Sequence, residues 1–401
     1  MISMGNNGVS AMEQWWAGDR EFELLVHCAR ANLTASGAER LRELVAGDLN
    51  WDRVLKLAMR NGLSPLLCFH LNKTCATSVP AAAMSFLRDH FHKNSAFCVL
   101  LTSELTSLLR TFNENGIRAV PYKGPAIAMR LYGNLNLRQC GDLDILVREA
   151  DVWRASELII ARGFQPHFSI PESKRNDFVR LSYVQLFRRD AGQTMVELHW
   201  GVAPRFFGVR FDAAGYWQRL ESMTLQGTNI AMPSAEDLLL TLCVHGAKDC
   251  WEKLEWVAAI AELMRSPKEI DWESVWQRAG EMRCRRLMAL GLLLVHGLFD
   301  IAIPAPAQPL CKSKRLLSQA REVARDFLLA ELPTQTFWRR VSFHLRLKDN
   351  FRDQTTHCAR LAFTTTPVDW ATMPLPSSLS FASPVWRAIR LTRKYGIDRD
   401  Q

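Results

Sequence analysis

The chain has 401 residues, 48% of them apolar and 23% charged, which excludes a disordered polypeptide and leaves room for two or three domains with proper cores. Its net charge is +9 and its isoelectric point about 9.2, yet no run of five or six like charges occurs, so the preference for anionic partners is weak. The start, MISMGNNGVSAMEQWW, has no basic region followed by an apolar one, which argues against a secretory signal.

Residues 1–95 carry a helical pattern. EFELLVHCARA and WDRVLKLAMRNGLSPLLCFHLNK place apolar residues at i, i+3 and i+4, with Gly62 and Pro65 punctuating the second. Residues 96–232 alternate between helix and strand. LTSELTSLLRTFNENG predicts an amphipathic helix closed by Gly116; IRAVPYK predicts a short strand; GPAIAMRLYG predicts a helix with Pro125 in its first turn. After a loop, DLDILV predicts a strand and EADVWRASELIIARG a helix, while YVQLFRR and TMVELHWG predict a strand pair joined through DAGQ. FQPHFSI is a further strand candidate. Residues 233–401 return to helix, with Ser234 as N-cap and Asp237 completing a variant capping box. Residues 287–299 are strongly apolar, but too short to span a bilayer and interrupted by His296, which predicts a buried helix. The last predicted helix, SPVWRAIRLTRK, carries Arg387, Arg390, Arg393 and Lys394; a basic face of this kind suits either solvent or an RNA acceptor. The reading is an α+β protein in which a small mixed sheet lies between two helical regions.

Ten cysteines are present without a C-x-x-C pair, the pattern of reduced thiols in a cytoplasmic protein. His27-Cys28, Cys68 with His70, and His357-Cys358 do not have the spacing of a zinc site.

The chemistry concentrates in RQCGDLDILV. Alternation along a strand puts Asp142 and Asp144 on one face. Two carboxylates that close repel, and burying them is tolerable only with a cation nearby. In MVELHW, Glu197 and His199 face one way and Val196 and Leu198 the other. If the two strands are neighbours, Asp142, Asp144 and Glu197 form an oxygen site for hard divalent cations. Such a site suits phosphoryl or nucleotidyl transfer.

Together, YKGPAIAMRLYG (122–133), LRQCGDLDILV (137–147), VELHW (196–200), residues 232–257 and residues 375–396 resemble the bacterial "uncharacterised nucleotidyltransferase" branch of the DNA polymerase β-like nucleotidyltransferase superfamily. The likeness runs over about residues 15–396. It implies a polymerase β-like catalytic domain at 96–232, flanked by helical regions at 1–95 and 233–401. It also implies transfer of a nucleoside monophosphate from an NTP, ATP included, with Mg²⁺ or Mn²⁺ as cofactor. By this resemblance Asp142, Asp144 and Glu197 are the catalytic and metal-binding positions. Lys123-Gly124 stands where many relatives have Gly-Gly or Gly-Ser, and Lys123, Gly124, Arg138 and Lys248 form the candidate nucleotide-binding set. For each cation a second role stays open: a surface lysine for Lys123 and Lys248, and for Arg138 pairing with the carboxylates or a solvated loop position. His199 either orients a carboxylate, binds the acceptor or is structural. The branch carries an aspartate near Ala259 that this chain lacks. The resemblance names no acceptor, so a small molecule, a peptide and RNA all stand. A catalytically silent nucleotide- or partner-binding module and a D-x-D glycosyltransferase are the alternative readings.

Overall fold

A computed structural model of the chain describes residues 13–16, 18–189, 194–331, 336–364 and 387. Its N-terminal region is a set of short helices, three of them started by side-chain caps. Asp19 accepts from the Phe22 amide at 3.0 Å, Thr34 from Gly37 at 3.1 Å and Asn50 from Arg53 at 3.1 Å, each satisfying an amide that has no partner within its helix. Asn61, where the second periodic stretch breaks, accepts from the Leu254 amide at 2.9 Å and donates to the Leu328 carbonyl at 3.1 Å. Those bonds tie the N-terminal helices to the C-terminal ones.

A 34-residue helix, Ala81–Glu114, runs unbroken through position 95, where the sequence pattern changes. Its buried stripe includes Leu87, Cys98, Leu101, Leu105, Leu108 and Phe112, the 3–4 spacing of a helix with one face in the core.

The central sheet has the order β1-β2-β5-β4-β3, with β1 Ala119–Pro121, β2 Leu143–Val147, β3 Gln165–Pro166, β4 Val184–Arg189 and β5 Thr194–His199. β2 and β5 run parallel and every other pairing is antiparallel. The sheet is therefore mixed, as the sequence reading expects, and FQPHFSI supplies only the two-residue β3. Side-chain alternation divides the sheet into two faces. Leu143, Ile145, Val147, Val196 and Leu198 enter the main core. On the other face, Val120, Tyr122 and Leu146 pack with Tyr216 and Trp217 of the helix Ala213–Gln218 in a smaller cluster.

A second hairpin, β6 Glu221–Leu225 with β7 Thr228–Met232, was not anticipated. Its two-residue turn is Gln226-Gly227, both at positive φ (46° and 75°), the backbone of a tight hairpin turn. The usual signal there is Asn-Gly or Asp-Gly, which glutamine hides.

The Ser234 cap forms as read, accepting from the Asp237 amide at 3.2 Å. Residues 287–299 lie in the buried helix Arg285–Phe299. No helix among the described residues is long and apolar enough to cross a membrane. All ten cysteines are free, and all but Cys358 are buried. Of the C-terminal basic segment, Arg390, Arg393 and Lys394 lie outside the described residues, as does most of residues 375–396. Arg387 is described and buried, its Nε donating to the Leu361 carbonyl at 3.0 Å.

Candidate functional site

The parallel register sets Asp144 directly beside Glu197, and Leu146 beside His199. Neighbouring strands lie a few ångströms apart, so the smaller face of the sheet gathers Asp144, Glu197 and His199. Each offers a ligand atom within 4.8 Å of the others, in the one such group among the described residues. His199 Nε2 lies 3.0 Å from Glu197 Oε2 and 3.2 Å from Asp144 Oδ1. Ionised carboxylates only accept, so Nε2–H donates to Glu197 Oε2 and faces Asp144 Oδ1 in an ion-pair contact. The rings of Tyr122 and Tyr183 flank the imidazole at 5.0 and 5.8 Å.

Asp144 is 2% exposed. The cation that makes its burial tolerable is Lys123, whose Nζ lies 2.5 Å from Oδ1. Burial alone would raise the Asp144 carboxyl, but Lys123 and His199 hold it well below the usual carboxylate range. The reciprocal effect holds Lys123 above the ordinary lysine value despite its burial. The surface reading of Lys123 therefore gives way to a buried ion pair.

Asp142 sits just before β2, half-buried and outside this convergence. Burial and the adjacent Asp144 charge push its carboxyl up to about 6. Its carbonyl explains the neighbouring glycine. Gly124 opens the helix Gly124–Tyr132 at φ +66°, and a Cβ there would lie 3.1 Å from the Asp142 oxygen. Only glycine takes that conformation without strain.

Arg138 is neither solvated nor paired with the aspartates. It is buried, with Nη1 3.5 Å from the Gly124 carbonyl. Burial would lower it, yet Glu255 and other neighbours hold it above its usual value. Lys248 reaches the site's edge, 3.5 Å from the Tyr183 hydroxyl and 3.3 Å from Asp249. Tyr183 and Asp249 outweigh the effect of burial and raise it. Beyond Tyr183 a cleft of about 390 Å³ is lined by Tyr183, Phe206, Lys248, Phe337, Arg340 and His344 among others. Ala259 is 1% exposed within the core.

Tyr122 and Tyr183 escaped the sequence reading. Tyr122 had a usable signal, since it precedes the Lys-Gly element at the end of β1. Tyr183 had none, because its approach to His199 depends on the antiparallel β4–β5 pairing that sets Val184 opposite His199.

Residues 47–300 match the family described as "Uncharacterised nucleotidyltransferase". No curated protein matches. Among solved structures, the crystal structure of an antigenic nucleotidyltransferase-like protein from Paracoccidioides brasiliensis is similar at 13% identity, with a TM-score of 0.28 over 45% of this chain and 86% of that one.

Proposed function

The chain belongs to the uncharacterised nucleotidyltransferases, and on that premise we propose that it is a Mg²⁺- or Mn²⁺-dependent enzyme moving a nucleoside monophosphate from an NTP to a hydroxyl or amine acceptor. The observation that carries this reading is the parallel register of Asp144 with Glu197. It brings carboxylates from separate stretches of chain to one point on a largely buried face.

The donor set fits a hard divalent ion. Asp144 and Glu197 offer oxygens at one place, and Asp142 stands just outside it, its carboxyl raised first by burial and then by the Asp144 charge, both of which a nearby cation would offset. His199 fits a positioning role better than ligation. A ligating histidine donates its other ring N–H to a partner, and His199 Nδ1 is buried without one. Its Nε2–H instead holds Asp144 and Glu197 together. When bound, the metal neutralises phosphate charge and lowers the acceptor's pKa.

The rest is supplied by the chain. The start of the helix Gly124–Tyr132 offers free amides and the positive end of a dipole to phosphate, with Arg138 braced beneath it. Glu197, whose side chain is 32% exposed, is the accessible carboxylate for the acceptor's proton. Strand order puts the helix Gly124–Tyr132, which follows β1, on one side of the carboxylates, and Tyr183, which precedes β4, on the other. The acceptor therefore enters through the cleft beside Tyr183 and Lys248.

The test is transfer of label from each α-labelled NTP to species in a cell extract, with Mg²⁺ or Mn²⁺. Asp144→Asn, which keeps the side-chain shape, is expected to lower transfer by about 10³-fold or more. Equal labelling by the variant and the parent overturns the assignment.

A further inference from the structure

Resting on the reading of these carboxylates as a metal site, we propose that Lys123 is an internal counter-cation. In the metal-free protein its ammonium stands where the divalent ion must bind, and the ion gains Asp144 only by displacing it.

The geometry is specific. Lys123 Nζ lies 2.5 Å from Asp144 Oδ1, the oxygen that also faces His199 Nε2. A hard divalent ion binds carboxylate oxygen at about 2.0–2.6 Å. An ion approaching that oxygen meets an ammonium already in contact with it, and the two cations repel each other and compete for one negative charge inside a buried site. Asp144 is the one ion-pair partner of Lys123 among the described residues, so no second carboxylate anchors the ammonium.

Besides Asp144, the Lys123 ammonium has the Tyr122 ring 5.4 Å away. Lys123 is the N-cap residue of its helix, with extended backbone (φ −142°, ψ −166°), and no cap bond ties its side chain to the helix. Four rotatable methylenes carry the charge. Lys248 provides the contrast. It lies in the same neighbourhood, but its ammonium is held by Asp249 and Tyr183 rather than by the site's carboxylates. Both lysines add one positive charge to the field, and only Lys123 blocks a ligand atom. Metal affinity of the free protein is then set by how readily Lys123 lets go. Lys123 is in this sense a positioning residue for the site, distinct from the groups that bind the ion.

Mn²⁺ binding to the full chain, followed by calorimetry without nucleotide, tests this. Lys123→Met is expected to bind Mn²⁺ at least about tenfold more tightly than the parent. Lys248→Met, which removes the same charge, is expected to change affinity by less than about threefold, as a longer-range screened effect. Equal strengthening by both variants reduces Lys123 to net charge and overturns the proposal, as does unchanged affinity in Lys123→Met. Absence of Mn²⁺ binding in both parent and variant, with far-UV circular dichroism intact, overturns the metal-site reading itself. Should Lys123→Met fail to fold, the parent decides the matter. Acetylation of the Lys123 amine by an activated ester, read by mass spectrometry, is expected to run several times faster with saturating Mn²⁺. An unchanged rate overturns the displacement.

Discussion

Lys123 and Lys348 are both lysines largely withdrawn from water, and the protein treats them in opposite ways. Lys123 faces Asp144 and keeps its charge above the ordinary lysine value. Lys348 donates to the Phe207 carbonyl and lies 4.4 Å above the Phe207 ring. Burial brings its ammonium down to about 8, against the opposing pull of Asp353 and Asp349. Its neighbours are basic too. His357 donates from Nδ1 to the Phe206 carbonyl at 2.7 Å, and His344 from Nε2 to the Lys248 carbonyl at 3.0 Å. Burial lowers both, His344 to about 3 and His357 to about 4. One cluster balances charge against charge and stays ionised; the other satisfies its donors on backbone oxygens and gives up protons. The first arrangement holds two carboxylates against an ammonium and an imidazole. The second holds helices together, since these bonds join the Phe337–Arg346 and Phe351–Phe363 helices to the loop after β5 and to the Lys248 helix.

Removing one lysine from each cluster breaks this comparison most sharply. Lys123→Met leaves Asp144 buried without its counter-ion and is expected to cost about 3–5 kcal/mol in urea unfolding. Added Mn²⁺ should restore part of that loss in proportion to its binding. Lys348→Met removes a buried charge that the native state disfavours but also the donor to the Phe207 carbonyl, so the two effects offset and stability at pH 7 is expected to change by no more than about 1 kcal/mol. Destabilisation of equal size in both variants would erase the distinction.

Acidification reaches the basic cluster together with the other histidines that burial lowers, His70 and His245 among them, while Asp142, raised to about 6, acts with the opposite sign. Between pH 6.5 and about 4, unfolded His357 binds a proton that the native chain refuses, and His344 extends the window to about 3. The unfolded state then binds more protons, so the contribution of these two histidines is complete above pH 6.5 and is lost as pH drops through this range. His357→Asn keeps a donor for the Phe206 carbonyl and is expected to flatten the slope, by up to about 3 kcal/mol at pH 4. Lys348 has the same sign at the alkaline end, contributing rising stability from about pH 8 to its unfolded value. Thermal unfolding across pH in parent and variant reads both limbs.

A smaller effect is expected at the helix start beside the acidic cluster. Gly124→Ala forces a side chain into positive φ and against the Asp142 carbonyl, at about 1–2 kcal/mol. Its loss of transfer activity should exceed what that destabilisation explains, because it shifts Asp142 and the first-turn amides together. Comparing unfolding with transfer rate in the same preparation separates the two.

Much of this was legible in the sequence. Alternation in MVELHW put Glu197 and His199 on one face, and the spacing of RQCGDLDILV required a nearby cation. Ser234 with Asp237 announced its helix, because caps and strand alternation act over three or four residues and leave a local trace. The long helix through position 95 also obeyed its periodicity, although the pattern change there suggested a boundary. Tertiary structure decided what depends on distant partners. The parallel pairing of β2 with β5 is fixed by burial of their apolar faces, and no residue in either strand states it. That register brings Asp144 to Glu197, leaves Asp142 aside, and lets a lysine outside the strand supply the charge that the aspartates lack. Arg138 reads as a candidate nucleotide-binding residue or a solvated loop arginine, and only the tertiary structure shows it buried, with Nη1 3.5 Å from the Gly124 carbonyl. Electrostatics in the interior depends on which charges share a low-dielectric space, and packing determines that across the whole chain.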